Sequence, residues 1–293
     1  MKKKVIGLLI YLFVYIIAAT AGILFYNLFE GHMDVLLNIF LCDVIATVVV
    51  FISSLILRSA SIYDPYWSVQ TAVIYIALMI KFGRFELGNI LFLVFILFWA
   101  IRLTVNFIIH FSDMSYIDWR YRMLKEKSKI FYPIVNLLGI EMFPTCVVYL
   151  SSIPAFLYVI NGSAFHWTQI FGLLVMAIGT LLEIFSDHEM IKFMEVRSSN
   201  KEIIRLGLWK HSRHPNYLGE ITFWFGVALV YFTPACKDWQ YFTGALVNLL
   251  MFIFISIPMA ENHMREYKPG FDQYVSETRM LLPIKRFKFR KKR

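Results

Sequence analysis

The reading of the fold turns on the first residues, Lys2-Lys3-Lys4 followed by VIGLLIYLFVYIIAATAGILF, Val5 to Phe25. Three lysines ahead of an apolar run have the layout of a secretory signal. The run, however, is about 20 residues long, the length that crosses a ~30 Å hydrocarbon layer, and no small-residue cleavage site follows it. It is therefore expected to remain as a first transmembrane helix. Seven more apolar segments of spanning or near-spanning length follow, at 35–57, 67–82, 87–110, 134–160, 165–186, 217–233 and 240–259. The third and seventh are short, so the expectation is an all-α polytopic transmembrane bundle of seven or eight spans.

Composition agrees with that expectation. Hydrophobic residues make up 59% of the chain and the mean hydropathy is +0.62, against an apolar share of about 45–50% in soluble domains. Aromatics reach 17% and many sit at the ends of apolar runs, where interfacial rings prefer to lie. Cys42, Cys146 and Cys236 fall in or beside apolar segments without metal-ligand spacing, so they read as packing residues, and no disulfide framework follows.

Charge sets the expected orientation. With an even number of spans, 25 of the 29 Lys and Arg fall on the side that holds both termini. The opposite loops hold Lys81, Arg84 and Lys237, and Arg102 lies within a span. The positive-inside rule then places both ends in the cytoplasm. The net charge of +9 is thus accounted for by topology and by the tail 284–293, and it does not point to nucleic acid. Such a tail beside a membrane is expected to bind anionic headgroups. No internal repeat and no linker divides the chain, so 1–293 reads as one integral membrane domain.

Four polar groupings break the apolar pattern. Ser212-Arg213-His214-Pro215-Asn216-Tyr217-Leu218-Gly219-Glu220 leads into the seventh span, with proline where a helix starts. Asn216 and Glu220 are four apart and share a face, while Arg213 and His214 flank the free N–H groups of the helix start, a natural cradle for phosphate. A second grouping, Glu183 to Arg197, brings Asp187, His188, Glu189, Lys192 and Arg197 to the end of the sixth span. A carboxylate there can accept from an amide or ribose hydroxyl, or pair with Arg213. The third, Glu261 to Lys268, follows the eighth span, with His263 and Tyr267, and Glu261 and Arg265, each four apart. The fourth is inside the membrane, where Trp99, Arg102 and Asn106 share a face of the fourth span; an intramembrane arginine marks a functional site by default. Each grouping also has a structural reading: a capped helix, an ion pair, an interfacial helix or a snorkelling side chain. Asp64-Pro65-Tyr66-Trp67 reads as an N-cap for the third span, and Asp118-Trp119-Arg120-Tyr121-Arg122 as an interfacial helix start. The sequence has neither a Gly-x-Gly-x-x-Gly after a strand nor a Walker loop, and it has no His/Cys ligand cluster, so no metal is expected.

Taken together, Ser212 to Glu220, Asp187 upstream and Glu261 to Pro283 resemble the C-terminal domain of the steroid 5α-reductase family. Asp64 to Ser68, Trp99-x-x-Arg102-Leu103 and Asp118 to Tyr121 resemble a mostly bacterial membrane branch of it, which extends the likeness to a core of about 60–283. The resemblance implies an NADPH-dependent reduction of a carbon–carbon double bond conjugated to a ketone, in a lipophilic steroid-, sterol- or prenoid-like substrate. It implies cofactor contacts from Asp187, Asn216, His263, Arg265 and Tyr267, with Lys192, Arg197, Arg213 and His214 as further candidates. Trp99 stands where the steroid enzymes place a tyrosine, and Trp99 and Asn106 are the expected substrate contacts. Arg102, Tyr217 and Glu220 are the expected catalytic donors. An isoprenylcysteine-type methyltransferase using S-adenosylmethionine shares Arg-His-Pro-x-Tyr-x-Gly before a span and is the rival reading; a non-catalytic lipid-binding protein is the third. A bacterial inner membrane is the expected location, with the endoplasmic reticulum as the alternative.

Overall fold

In hydrocarbon every backbone N–H and C=O must be satisfied within the protein, and a helix does this locally. The computed structural model describes residues 2–162, 164–233 and 238–283; Cys236, Lys237 and the basic tail 284–293 lie outside them. The described residues are overwhelmingly helical. Among the described residues, six helical stretches are long and apolar enough to cross a membrane: Lys2–Phe29, Val35–Leu57, Leu87–His110, Trp119–Asn161, Thr168–Val196 and Trp239–Tyr267. The chain divides into two compact units, Met1–His166 and Trp167–Arg293.

The first unit holds α1 (Lys2–Phe29), α2 (Val35–Leu57), α3 (Tyr63–Phe82), α4 (Leu87–His110) and α5 (Trp119–Ser128). Then α6 (Tyr132–Val135) widens into a π segment, Asn136–Met142, and continues as α7 (Phe143–Asn161). Helix α1 buries a narrow stripe of Gly7, Tyr11, Val14, Ala18 and Gly22, while Leu9, Phe13 and Leu24 on its other faces are exposed. An apolar outer surface of this kind suits a lipid solvent. Asp34 caps α2, its carboxylate accepting from the backbone N–H of Leu36 at 2.9 Å and of Leu37 at 3.2 Å. Inside the unit, polar side chains satisfy one another: Tyr63 and Thr47 meet Thr145 at 2.8 and 3.1 Å, and Ser54 bridges Asn136 and Glu141 at 2.9 and 2.8 Å.

Two expectations are refined here. Helix α3 begins at Tyr63, so Asp64 lies in the first turn and does not cap it. Its carboxylate is taken by the hydroxyl of Tyr121 at 2.5 Å and by Arg120 at 3.5 Å, which joins two stretches the sequence leaves separate. The sixth span does not end at 186 but runs on as one helix to Val196.

The second unit holds α8 (Thr168–Val196), α9 (Pro215–Tyr231), α10 (Thr243–Met251), a π segment at Phe252–Ser256, α11 (Ile257–Tyr267) and α12 (Phe271–Glu277). Helix α9 has 17 residues, which at 1.5 Å per residue is about 26 Å. That is why it and the more polar α3 are absent from the six longest apolar stretches. Helices α8 and α9 run antiparallel with their backbones almost touching. A Cβ added at Gly179 would lie 2.6 Å from the N of Phe223 and 2.7 Å from the O of Gly219; one at Gly226 would lie 2.6 Å from the N of Met176. Gly172 and Gly219 are equally closed in by backbone. Small residues at such crossings are how membrane helices gain packing without a hydrophobic drive.

Gly179→Leu is expected to force the α8–α9 pair apart and cost about 1–3 kcal/mol. Gly139→Ala, at a position with open space around it, is the control. Thermal unfolding in detergent reads both; equal melting temperatures would mean that the close crossing contributes nothing.

Candidate functional site

The densest polar construction in the second unit is built around one carboxylate. Pro215 starts α9 at its first turn, which fixes the chain just ahead of it. Upstream, Gly207 has φ +51°, and a side chain there would collide with the Glu189 carboxylate. That carboxylate accepts from the N–H of Leu208 at 2.8 Å. The indole N–H of Trp209 donates to the carbonyl of Ser186 at 3.0 Å, and Tyr274 donates to the carbonyl of Trp209 at 2.5 Å. These contacts lay the segment 207–214 between α8 and α12. Ser212 and Arg279 form a parallel bridge, and the N–H of Arg213 donates to the carbonyl of Arg279 at 2.9 Å.

Arg213 and His214 are then turned inward, 7% and 3% exposed. The Nε of Arg213 donates to Oε1 of Glu261 at 2.8 Å, and its Nη1 reaches the carbonyls of Thr278 and Val275. His214 Nε2 lies 3.1 Å from the same Oε1, and Arg265 reaches Oε2 at 3.4 Å. Glu261 is thus gripped by three basic side chains. Arg265 also bonds Asp272 at 3.0 Å and Asn262 at 3.1 Å, and lies over the ring of Phe271. Tyr217 stacks on His214, with ring centres 5.3 Å apart and planes 6° from parallel, and packs against Phe252.

Burial pushes the His214 imidazole below its ordinary value; the bond to Glu261 opposes this and the Arg213 charge adds to it. Burial also raises the Tyr274 hydroxyl, which keeps it a donor. Lys268, just past α11, is lowered by burial and by the positive charge of Arg197 at the end of α8. Its amine donates to the carbonyl of Glu202 at 2.9 Å.

The expected residues fall into three sets. Arg213, His214, Tyr217 and Arg265 are brought together, through Glu261. His263 and Tyr267 pair on α11, ring centres 4.8 Å apart, with Tyr267 40% exposed. Asp187 is half-buried on α8, Lys192 exposed, Arg197 half-buried and Asn216 half-buried in the first turn of α9. Glu220 is buried and accepts from the indole of Trp224 at 2.7 Å. In the first unit, Trp99 is fully buried edge-on to Trp67 at 5.5 Å, and Arg102 and Asn106 are half-buried on the same helix. Two further residues emerge from the structure. Glu261 is the shared acceptor, a role its four-residue spacing to Arg265 only half reveals. Lys268 is the cation set beside Arg197, 71 positions away in sequence, which no local pattern signals.

A chain whose described residues are overwhelmingly helical and include six apolar stretches of spanning length, carrying this basic cluster at the ends of α8, α9 and α11, is an integral membrane protein with a polar site. Residues 50–278 match the family described as protein of unknown function DUF1295, and the chain belongs to that family. It is also similar to 3-oxo-5-alpha-steroid 4-dehydrogenase 1 of Macaca fascicularis, 31% identical over 106 residues, which cover 36% of this chain and 37% of that protein. This relative bears out the likeness to the steroid 5α-reductase family. No solved structure matches the chain.

A histidine held neutral in the fold makes stability depend on pH. The unfolded chain protonates His214 near its ordinary value of about 6.5, and the fold does so only at lower pH. The unfolded state therefore binds more protons below about pH 6.5, so the stability present above that pH is lost as pH falls. Melting curves of the purified protein from pH 7.5 to about 5 are expected to show this decline, and His214→Gln to flatten it. An identical decline in the variant would remove His214 as its cause.

Proposed function

We propose that this protein is a membrane-embedded oxidoreductase that uses NADPH to reduce a carbon–carbon double bond conjugated to a ketone in a lipophilic, steroid- or prenoid-like substrate. The observation that carries the reading is the gathering of Arg197, at the end of α8, with Lys268 and the half-exposed Arg265 of the α11 end, where burial and the Arg197 charge lower Lys268. Arg265 is already paired with Glu261 and Asp272, but Arg197 and Lys268 are like charges close enough to repel, and a polyphosphate would relieve that repulsion. S-adenosylmethionine has no phosphate and carries a cation of its own, so the same pair disfavours the methyltransferase reading. The similarity to a steroid dehydrogenase over about a third of the chain supports the reaction class.

In this proposal Arg197, Arg265 and Lys268 hold the phosphates and Lys192 adds charge at the rim. His263 and Tyr267 receive the adenosine, while Asp187 and Asn216 orient the remainder by hydrogen bonds. Arg213 and His214 act as positioning residues, because their heads are spent on Glu261. When bound, the nicotinamide would supply hydride to the β-carbon of the enone, and a proton added at the α-carbon would complete the reduction. The chain's part is to orient the substrate, exclude water and polarise the carbonyl. Trp99 and Asn106 are the proposed substrate contacts, and Arg102, Tyr217 and Glu220 the proposed donors. Indole donates a hydrogen bond but supplies no phenolic proton, so the tyrosine chemistry of the steroid enzymes is not transferred to Trp99. The proposed setting is a single membrane domain of seven or eight spans, α3 and α9 included, with both ends in the cytoplasm. A bacterial inner membrane is its proposed location, and anionic headgroups are the proposed partner of the basic tail.

Purified protein in detergent, titrated with NADPH and separately with S-adenosylmethionine, tests the reading by melting temperature. A ligand that binds only the fold stabilises by about 2.7 kcal/mol at a hundredfold excess over Kd. NADPH is expected to stabilise, and Asn216→Ala to melt as the parent does while losing that response. Stabilisation by S-adenosylmethionine alone would overturn the proposal, silence to both would favour a lipid-binding role, and an undiminished response in Asn216→Ala would remove Asn216 from the site.

A further inference from the structure

A cavity of ≈ 370 Å³ lies among α1, α2 and α3 of the first unit, within the ~300–1,000 Å³ range of small-molecule sites. Its walls are almost wholly hydrocarbon, from residues such as Ala19, Ile39, Val69 and Leu78. Ile23, Val73 and Ile80 form part of the lining and are exposed, so the cavity opens sideways through apolar residues of the outer surface. A lipophilic molecule in the bilayer meets such an opening directly.

Among the polar side chains in this wall, Asp43 of α2 and Gln70 of α3 come from adjacent helices and are 2% and 5% exposed, and the buried hydroxyl of Tyr66 on α3 has no hydrogen-bond partner. The amide of Gln70 donates to Oδ2 of Asp43 at 2.9 Å, which fixes both. That bond leaves Oδ1 of Asp43 and Oε1 of Gln70 as buried acceptors with no hydrogen-bond partner. Buried acceptors without a donor are costly, and both of these residues line the same apolar cavity. What they lack is a hydrogen to accept. A ketone has none to give and could answer only the Tyr66 hydroxyl, whereas an alcohol can donate to an acceptor and accept from Tyr66 as well. A charged amine would have to leave water for a hydrocarbon cavity. A hydroxyl on a hydrocarbon frame meets both demands.

We propose that this cavity is a second ligand site that binds a lipophilic alcohol, its hydroxyl donating to the acceptor edge formed by Asp43 Oδ1 and Gln70 Oε1 and its hydrocarbon body filling the walls. The proposal goes beyond the reductase reading and shares no residue with it.

The experiment uses the full chain in detergent with a fluorescent sterol bearing one hydroxyl, the methyl ether of the same sterol, and octadecan-1-ol as competitor. Saturable binding of the sterol is expected, with the ether about tenfold or more weaker, the worth of one lost hydrogen bond at a buried acceptor. Displacement by octadecan-1-ol identifies a linear alcohol as an occupant, and failure to displace restricts the site to ringed alcohols. In Asp43→Leu the preference for alcohol over ether is expected to collapse. Equal binding of alcohol and ether by the parent protein, or no saturable binding of either alcohol, overturns the proposal, and this comparison decides even where the variant does not fold. The NADPH response of Asp43→Leu is expected to be unchanged, so failure of this proposal and failure of the reductase reading are read separately.

Discussion

The Glu261 carboxylate is the constraint on which the second unit's polar end depends. Its two oxygens are shared by Arg213, His214 and Arg265, and through Arg213 they reach the carbonyls of Val275 and Thr278. The loop before α9, the end of α11 and the segment after α12 are therefore held by one side chain. Both members of the central pair are under a tenth exposed. Removing one charge of such a pair costs about 3–5 kcal/mol, because the other is left buried and unpaired. The arrangement costs desolvation and gains specificity of position, which is what a site for a long polar ligand requires.

Beneath that end, the unit is organised by close backbone contact. Gly172 and Gly179 of α8 face Gly219 and Gly226 of α9, each pair seven residues apart, and the crossing admits no side chain. The same helices carry Asp187 and Asn216, so the crossing fixes the spacing of two proposed cofactor contacts. Rigid helices position such groups better than loops do.

Much of this was legible in the sequence. Long apolar runs and tripled lysines point to helices in a membrane because hydrocarbon leaves a chain few alternatives. Pro215 marks the start of α9, and the four-residue spacings on α11 place Arg265 beside Glu261 and Tyr267 beside His263. What escaped was tertiary. The sequence offers Arg213 a carboxylate on the sixth span, whereas the structure pairs it with Glu261, 48 residues on, and local spacing carries no information over that distance. Asp64 reads as a cap from its neighbours, yet Tyr121 claims it from 57 positions away. Asp43 and Gln70 have no motif around them, and only the meeting of α2 and α3 makes them a pair. The glycines went unread because their spacing acquires meaning only when two helices cross.

The most direct test of the central role of Glu261 is hydrogen exchange, followed by mass spectrometry, on the parent protein and Glu261→Gln. The substitution keeps the shape and removes the charge that three basic side chains share. The account predicts that segments 207–218 and 272–281 lose protection together, while α8 within 168–186 keeps it. Unchanged protection in both segments, or loss confined to α11 itself, would contradict the claim that this one carboxylate holds the site together.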